Sequence, residues 1–443
     1  MRIVPFIILL FASVGAMAQN IGSESGRSIN VEPYRSHILP SSSAEEAAGD
    51  KSGAMRFAIP VADWAEQREG SAVNFSSSFA TPFSWIGRQS IISIESASAP
   101  YSVWIGGREV GSCFTPSMPA QFNISRYIED EVDTPIVISM QRSSSISQLE
   151  AWSSAADGFE LGHVVMLSQP TMYIRDVDVR TDLVSGSLNS LISVAVKSEA
   201  LNPRTSRINY ELLTPQGEVA KRGHMDLNLD MRREDTIHIF AVIPDTLAWS
   251  VENPNLYRLN LSTQYRGRYI EYHSYEIGMR SIEHSRDGEL IINGLPQPLK
   301  VVEVTSAASV LQLSELKSAG YNAVKIAAGG YNREIYNYAD SAGLYIVATA
   351  PINTSHSGGA ILRGGNPTND PDRVNEYIER VDAIYNVTKL HPSVIAFAIA
   401  DTSLNGINLY ESYLYLKSRE RQRPVVYLQS GGEWNSDKLV MEF

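Results

Sequence analysis

Cysteine is almost absent from the 443-residue chain, which contains only Cys113. A single cysteine cannot form a disulfide within one chain, so packing has to stabilise the fold. A lone thiol is more often a small packed residue than a nucleophile, and we interpret Cys113 in that way. Zinc-type spacings of Cys and His and glycine-rich phosphate loops are also lacking. The sequence therefore predicts no metal site and no cofactor.

Basic clusters are lacking as well. The chain has 37 Lys and Arg against 49 Asp and Glu, and its formal net charge is −12. An acidic chain without basic patches binds the phosphate backbone poorly, which excludes nucleic acid as a partner. Beyond the N-terminus, no apolar run approaches the about 20 residues of a membrane-spanning helix. We therefore expect no membrane span.

The N-terminal residues form a separate signal. Arg2 precedes an apolar run at 4–14, and the small-residue motif Ala-Met-Ala follows at 16–18. This order is typical of a signal peptide with its cleavage site, so we predict a signal peptide over residues 1–18 and export to the periplasm or the extracellular space. Residues 19–55 are rich in Ser, Ala, Gly and Glu without periodicity, which predicts a flexible leader.

Two all-β units follow the leader. In residues 56–168, the stretches SIISIES and YSVWIGGREVG alternate apolar and polar residues, and Gly106-Gly107 marks a hairpin turn. In residues 170–279, LISVAVKS, RINYELLT and LYRLNLSTQY alternate similarly. We predict a jelly-roll β-sandwich for the first unit and an immunoglobulin-like β-sandwich for the second.

Residues 281–443 have a different pattern of predicted elements, in which apolar strands alternate with helices. PLKVVEV, NAVKIA, LYIVATA, VIAFAIA and PVVYLQ are predicted strands, and KLVMEF is a sixth at most. Alternation of this kind indicates parallel strands covered by helices. An eight-stranded barrel takes about 200 residues or more, so we predict an incomplete (β/α) barrel.

The order of these units and several local phrases resemble glycoside hydrolase family 2, which includes β-galactosidases, β-glucuronidases and β-mannosidases. YSVWIGGREVG with QFNISRYI resembles the family's sugar-binding jelly roll, and PTMYIRDVDVRTDL resembles the entry into its immunoglobulin-like domain. GELIINGLPQPLKVVEV, KSAGYNAVKI, YADSAGLYIV, HPSVIAFAI and RPVVYL resemble successive segments of its TIM-type barrel. The resemblance implies carbohydrate as the ligand class.

The residues at the positions that correspond to the family's catalytic pair differ from those of the family. Retaining glycosidases use two carboxylates about 5–5.5 Å apart, one as acid and one as nucleophile. The family acid is the Glu of an Asn-Glu pair that ends the fourth barrel strand, and HPSVIAFAIADTSLNG places Asp401 and Thr402 there. A threonine hydroxyl is too weak an acid to protonate a leaving oxygen. The sequence therefore predicts that no catalytic residue is retained.

Other pocket positions of the family also differ. Glu303 ends the first barrel strand, Lys325 lies in the second, and Asn353 follows the third. Together with Asp401 and Thr402 they are the candidate pocket residues. Apolar strand cores with altered polar ends are expected when a fold is kept and catalysis is lost, because function sits at the strand ends.

Individual residues also have structural interpretations. Asp401 could bind a sugar hydroxyl, but an N-cap of the following helix is favoured. His391 is expected to fix a helix-to-strand turn, and His356 to lie in a solvated loop. Trp104 and Trp152 could be sugar-stacking platforms, although core packing is favoured for Trp104.

The end of the sequence allows further alternatives. Glu442 in KLVMEF faintly resembles the family nucleophile, but too few residues separate KLVMEF from PVVYLQ for the missing elements. Six parallel strands would leave two unpaired edges, which implies a cover, self-association or a protein partner, or else a truncated chain.

Three functions remain open. The first is an exported, catalytically inactive protein with a carbohydrate-binding or cell-envelope scaffolding role. The second is an active β-glycosidase that uses a displaced carboxylate such as Asp401 or Glu303. The third is a purely structural protein-interaction module.

Overall fold

The structure, a computed structural model, describes residues 27–37, 39–49, 56–141, 149–150, 158–328, 330–355, 366–427 and 436–443. Two β-sandwiches precede a parallel sheet covered by helices, so the predicted fold class is confirmed. The predicted signal peptide, Trp152 and His356 lie outside the described residues. Within the described part of the chain, no helix is both long and apolar enough to cross a bilayer.

The described part of the predicted flexible leader is bound to the domains that follow it. Ile29 forms a β-bridge with Ser112 in the first sandwich, and Ser41 forms one with Tyr272 in the second. A short helix, α1 (Ala44–Ala48), comes next. The structure thus pairs the described part of the leader with both sandwiches. Its composition predicted a loose segment because composition carries no information on long-range backbone pairing.

The first sandwich consists of a four-stranded sheet in the order β1-β9-β4-β7 and a five-stranded sheet in the order β2-β3-β8-β5-β6. The predicted hairpin joins β5 to β6, where Gly106 and Gly107 both have positive φ, which glycine adopts without strain. The strands are β1 (Ala58–Pro60), β2 (Ala65–Glu69), β3 (Ala72–Ala80), β4 (Gln89–Ile94), β5 (Tyr101–Ile105), β6 (Arg108–Cys113), β7 (Ala120–Asn123), β8 (Asp133–Gln141) and β9 (Val164–Gln169).

The second sandwich pairs a three-stranded sheet, β10-β11-β14, with a four-stranded sheet, β13-β12-β15-β16, and a separate sheet, β17-β18-β19, follows it. All pairings within these sheets are antiparallel. The strands are β10 (Met172–Val184), β11 (Ser187–Ser198), β12 (Arg204–Leu213), β13 (Val219–Leu229), β14 (Glu234–Pro244), β15 (Tyr257–Tyr265), β16 (Arg268–Ile277), β17 (Ile282–His284), β18 (Leu290–Ile292) and β19 (Leu295–Gln297).

The last domain contains a parallel sheet in the order β20-β21-β22-β23-β24. Strands β21, β22 and β23 are buried along their whole length, as parallel strands under helices are. The elements are β20 (Val301–Val304), α2 (Val310–Ser318), β21 (Ala323–Ile326), α3 (Arg333–Ala342), β22 (Tyr345–Thr349), α4 (Val374–Thr388), β23 (Val394–Ala398), α5 (Ile407–Arg419) and β24 (Val425–Val426).

The segment KLVMEF does not follow β24 as a sixth strand. Glu442 instead forms a parallel bridge with Lys300, on the side of β20 that faces away from β21. The sequence did not specify which edge this segment joins; the link from β24 is too short for a helical crossover yet long enough to reach the opposite edge. Among the described residues the parallel sheet has five strands, which agrees with an incomplete barrel.

Candidate functional site

Three of the five candidate pocket residues meet near the carboxyl ends of the parallel strands. The ammonium of Lys325 lies 2.5 Å from Glu303 Oε2 and 3.0 Å from Asp401 Oδ1. Glu303 in β20 is the direct register partner of Lys325 in β21, so their side chains project on the same side of the sheet. Asp401 reaches the same point from the loop after β23, which places a cation between two carboxylates.

Burial differs among these three side chains. Lys325 is 2% exposed and Asp401 is 8% exposed, whereas Glu303 is 46% exposed. The second oxygen of Asp401, Oδ2, accepts a hydrogen bond from the N–H of Ala328 at 3.4 Å. The cluster thus has a buried floor formed by Lys325 and Asp401, and Glu303 is the member that solvent or a ligand can reach.

The separation of the two carboxylates follows from their shared partner. Glu303 Oε2 and Asp401 Oδ1 contact the same nitrogen at 2.5 and 3.0 Å, so they are at most about 5.5 Å apart. This upper limit coincides with the upper end of the range for retaining glycosidases, about 5–5.5 Å. However, both carboxylates contact the ammonium of Lys325, whereas the two carboxyl groups of a retaining site flank the scissile bond.

The other two candidates lie in neighbouring loops. The N–H of Thr354 donates to the carbonyl oxygen of Thr402 at 3.2 Å, which joins the loop after β22 to the loop after β23. The side chain of Asn353 accepts a hydrogen bond from the N–H of Ser355 at 3.0 Å, so it shapes its own loop. Thr402 is exposed. Asn353 and Thr402 therefore border the cluster of three charged residues.

Asp401 does not cap the following helix, contrary to the favoured interpretation. Helix α5 begins at Ile407 after Gly406, which has no side-chain capping bond. The carboxylate of Asp401 is directed instead to Lys325 and to the backbone of Ala328. A buried ammonium is a stronger partner than a neutral N–H, because hydrogen bonds between ions are roughly twice as strong as those between neutral groups.

His391 lies at the opposite end of the strands and has a structural role. Its Nδ1 lies 2.6 Å from Asp340 Oδ2, and its Nε2 lies 3.3 Å from the hydroxyl of Tyr331. The other oxygen of Asp340 accepts a hydrogen bond from the N–H of Ser393 at 3.0 Å. These bonds fix the turn into β23, as predicted. The participation of Asp340 and Tyr331 was not predictable, since neither is near His391 in sequence.

A loop of the first sandwich also reaches the barrel near the strand ends. Leu149 is buried in the barrel core, and its carbonyl oxygen accepts a hydrogen bond from the N–H of Asn353 at 2.7 Å. Next to it, Glu150 Oε1 forms a buried ion pair with Arg380 of α4, at 2.9 Å from the guanidinium. This pair is not predictable from the sequence, because no local pattern connects Glu150 with a helix in another domain.

Cys113 lies in the core of the first sandwich, as its preferred interpretation predicts, whereas Trp104 is buried in a separate cluster with Val137 on the other face of β5. The indole Nε1 of Trp104 donates to Ser102 Oγ at 2.9 Å, and the side chain is buried. Burial raises the pKa of the Cys113 thiol to about 12, and the negative charge of Glu379 adds to this shift. A thiol with such a pKa carries almost no thiolate at neutral pH, so Cys113 is not an activated nucleophile.

Comparison with known families identifies the two C-terminal domains. A family model described as "Glycosyl hydrolases family 2, TIM barrel domain" matches residues 301–443, and one described as "Glycosyl hydrolases family 2" matches residues 172–280. Together the two matches cover more than half of the chain. The chain belongs to glycosyl hydrolase family 2.

The curated relatives of this family 2 chain include β-galactosidases. The protein of Psychromonas ingrahamii is 24% identical over 382 residues, which are 82% of this chain and 36% of that protein. The β-galactosidase of Vibrio cholerae is 28% identical over 373 residues, 79% of this chain and 35% of that protein. This chain therefore spans about a third of the length of these relatives.

Solved structures agree on the fold. The β-glucuronidase of Bacteroides uniformis superposes with a TM-score of 0.68 at 14% identity, over 90% of this chain and 52% of that chain. A putative β-galactosidase from Bacteroides fragilis gives a TM-score of 0.69 at 14% identity, over 93% of this chain and 66% of that chain. At this identity the similarity shows the fold alone.

Proposed function

We propose that this chain is an exported, catalytically inactive member of family 2 that binds carbohydrate at the carboxyl ends of its barrel strands. The observation that carries the proposal is the position of Lys325, whose ammonium contacts both carboxylates of the candidate site. The resemblance assigns the position of the family acid to Thr402. Carboxylates held by an ammonium can accept hydrogen bonds from hydroxyl groups, whereas a threonine hydroxyl is too weak an acid to protonate a leaving oxygen.

Carbohydrate is the ligand class that this chemistry favours. Glu303 presents an accessible carboxylate, which accepts hydrogen bonds from sugar hydroxyls, and Lys325 holds it in place from below. The relatives are named β-galactosidases, which supports a sugar as the ligand. Export is supported by Arg2, the apolar run at 4–14 and the cleavage motif at 16–18.

An active β-glycosidase is the second candidate, and one observation favours it. Glu303 Oε2 and Asp401 Oδ1 are at most about 5.5 Å apart, which a retaining mechanism would allow. In that mechanism one carboxyl group would protonate the leaving oxygen while the other attacked the sugar carbon. Lys325 opposes this function, because its ammonium contacts both carboxylates and lies between them, where the scissile bond would have to lie.

Turnover assays separate these two functions. Purified protein is incubated with aryl β-galactosides, β-glucuronides and β-mannosides, and we expect no release of the aryl group. Turnover that disappears in Asp401→Asn or Glu303→Gln, but persists in the matched control Asp226→Asn, would establish the active alternative. Asp226 is exposed in the second sandwich and pairs only with another surface residue, Arg207, in the contacts described.

Binding assays separate carbohydrate binding from a purely structural role. Immobilised oligosaccharides are tested with wild type, with Glu303→Gln and with the exposed control Glu218→Gln. Loss of a hydrogen bond to a charged group costs about 1.5–3 kcal/mol, so we expect Glu303→Gln to weaken binding by about tenfold or more. Failure of the wild type to bind any glycan would favour the scaffolding or interaction-module alternative.

A further inference from the structure

The parallel sheet has two edges that need partners. A strand at the edge of a sheet exposes unpaired N–H and C=O groups, which recruit other strands. The edges here are β20 and β24, which lie at opposite ends of the order β20-β21-β22-β23-β24. Residues 436–443, named here the closing segment, contact both of these edges.

At the first edge, the closing segment pairs with β20 through its backbone. The N–H of Glu442 donates to the carbonyl oxygen of Leu299 at 2.9 Å, and the N–H of Val301 donates to the carbonyl oxygen of Glu442 at 2.7 Å. The bridge between Lys300 and Glu442 is parallel. This position, beside the first strand and parallel to it, is where the last strand of a closed parallel barrel would lie.

At the second edge, Asp437 satisfies both backbone groups of Val425 in β24. The N–H of Asp437 donates to the carbonyl oxygen of Val425 at 2.9 Å, and Asp437 Oδ2 accepts from the N–H of Val425 at 2.8 Å. The same carboxylate accepts hydrogen bonds from Tyr413 at 3.1 Å and from Lys417 at 2.9 Å, both in α5. Asp437 is thus a charged anchor, because its carboxylate accepts hydrogen bonds from one backbone N–H and two side chains.

Between these anchors, the segment alternates like a strand. Leu439 and Met441 are half-buried, whereas Val440 between them is 60% exposed. Both half-buried side chains pack against the inner faces of the sheet, on Val347, Ala396, Ala398 and Val426. Two of these four residues are alanines, so the interior has room for the side chains of the closing segment.

Gly288 lies where the closing segment passes the sheet β17-β18-β19. Its carbonyl oxygen accepts a hydrogen bond from the N–H of Val440 at 2.9 Å. A Cβ at this position would lie 2.9 Å from the backbone of Lys438, and the φ of +92° also favours glycine. The backbone of the closing segment therefore approaches more closely than a side chain at residue 288 would allow.

We propose that the gap between β20 and β24 is a peptide-binding groove and that residues 436–443 of the same molecule occupy it. The groove recognises an extended segment with a carboxylate at its start and apolar side chains two and four positions later. Backbone pairing to a sheet edge with pockets for alternate side chains is a known mode of peptide recognition. This inference is independent of any sugar chemistry.

A disulfide trap tests whether the occupant comes from the same copy. The double variant Lys300→Cys/Glu442→Cys, in the otherwise full chain, places two thiols at bridged positions on neighbouring strands, about 4.8 Å apart at the backbone. This spacing lies within the range that a disulfide accepts, about 4.4–6.8 Å between Cα atoms. The native Cys113 is fully buried and does not compete.

On mild oxidation, we expect a monomeric product whose 300–442 cross-link is identified by peptide mass spectrometry. The control pair Lys300→Cys/Lys438→Cys shares the same segment but lacks the bridge, and it should cross-link at least about tenfold more slowly, since only local opening would bring its thiols together. Cross-linked dimers, or equal rates for the two pairs, would overturn the proposal.

Accessibility of the barrel interior provides a second test. Ala398→Cys places a thiol on the inner face next to the closing segment. We expect its alkylation to be slow in an otherwise native chain and about tenfold faster or more when Leu439→Asp and Met441→Asp are added. The exposed substitution Val440→Asp should leave the rate unchanged. Equal rates in all three proteins would contradict the role of the segment, and the disulfide test still decides the matter if the double Asp variant does not fold.

Discussion

Strands β22 and β23 differ sharply from the loops that follow them. Tyr345–Thr349 and Val394–Ala398 are buried throughout, and they pack against the helices as a family 2 barrel requires. At the carboxyl ends, Thr402 stands where the resemblance places the family acid, and Asp401 is held by Lys325. Stability depends on the strand interiors and chemistry on the strand ends, so one can be retained while the other changes.

Removing a large side chain from a strand interior should have the largest effect. Phe397 in β23 is fully buried, and its ring lies 5.4 Å from that of Tyr385 in α4. Phe397→Ala should lower the free energy of unfolding by about 3–5 kcal/mol, since such a truncation leaves a cavity. Denaturant titration measures this loss.

The matched control for Phe397 is Phe240, which is 64% exposed in the second sandwich. Phe240→Ala should change the free energy of unfolding by no more than about 0.5 kcal/mol. Similar losses for the two variants would contradict the view that the interior of β23 determines stability.

Breaking the polar cluster at the strand ends should have a somewhat smaller effect. Lys325→Met leaves the buried Asp401 without its ammonium and places it beside Glu303. We expect a loss of about 3 kcal/mol, the lower end for breaking a buried ion pair, because Glu303 is partly solvated. Thermal and denaturant unfolding measure the change.

The double variant Lys325→Met/Asp401→Asn sharpens this result. Removing both charges of a buried pair often costs far less than removing one, so most of the lost stability should return. If the double variant is as unstable as Lys325→Met alone, the cost comes from packing of the lysine side chain and not from an uncompensated carboxylate.

The two regions also differ in how well sequence predicts them. Alternation and apolar runs predicted both sandwiches and the parallel strands, because these patterns report local periodicity and burial. The resemblance to family 2 selected Glu303, Lys325 and Asp401 as candidates. Their meeting at one ammonium depends on the register between β20 and β21 and on the path of the loop after β23, which no local pattern encodes.

Long-range pairing also determines what local patterns left open. The composition of residues 19–55 predicted a flexible leader and carried no sign of bridges such as Ile29 to Ser112 in its described part. The alternation in KLVMEF predicted a strand and could not specify which edge it joins. Edge choice is determined by unpaired backbone groups on strands distant in sequence, here Leu299 and Val301.

Restoring the family acid should have the smallest effect of all. Thr402 is exposed, so Thr402→Glu should alter the free energy of unfolding by no more than about 0.5 kcal/mol. We also expect no turnover of aryl β-glycosides, because a glycosidase needs a second carboxylate across the sugar and the two available ones are engaged by Lys325. Thr402→Gln, which matches the size without the acid, is the control. Turnover in Thr402→Glu but not in Thr402→Gln would mean that a nucleophile still faces this position, and that a single substitution separates the chain from catalysis.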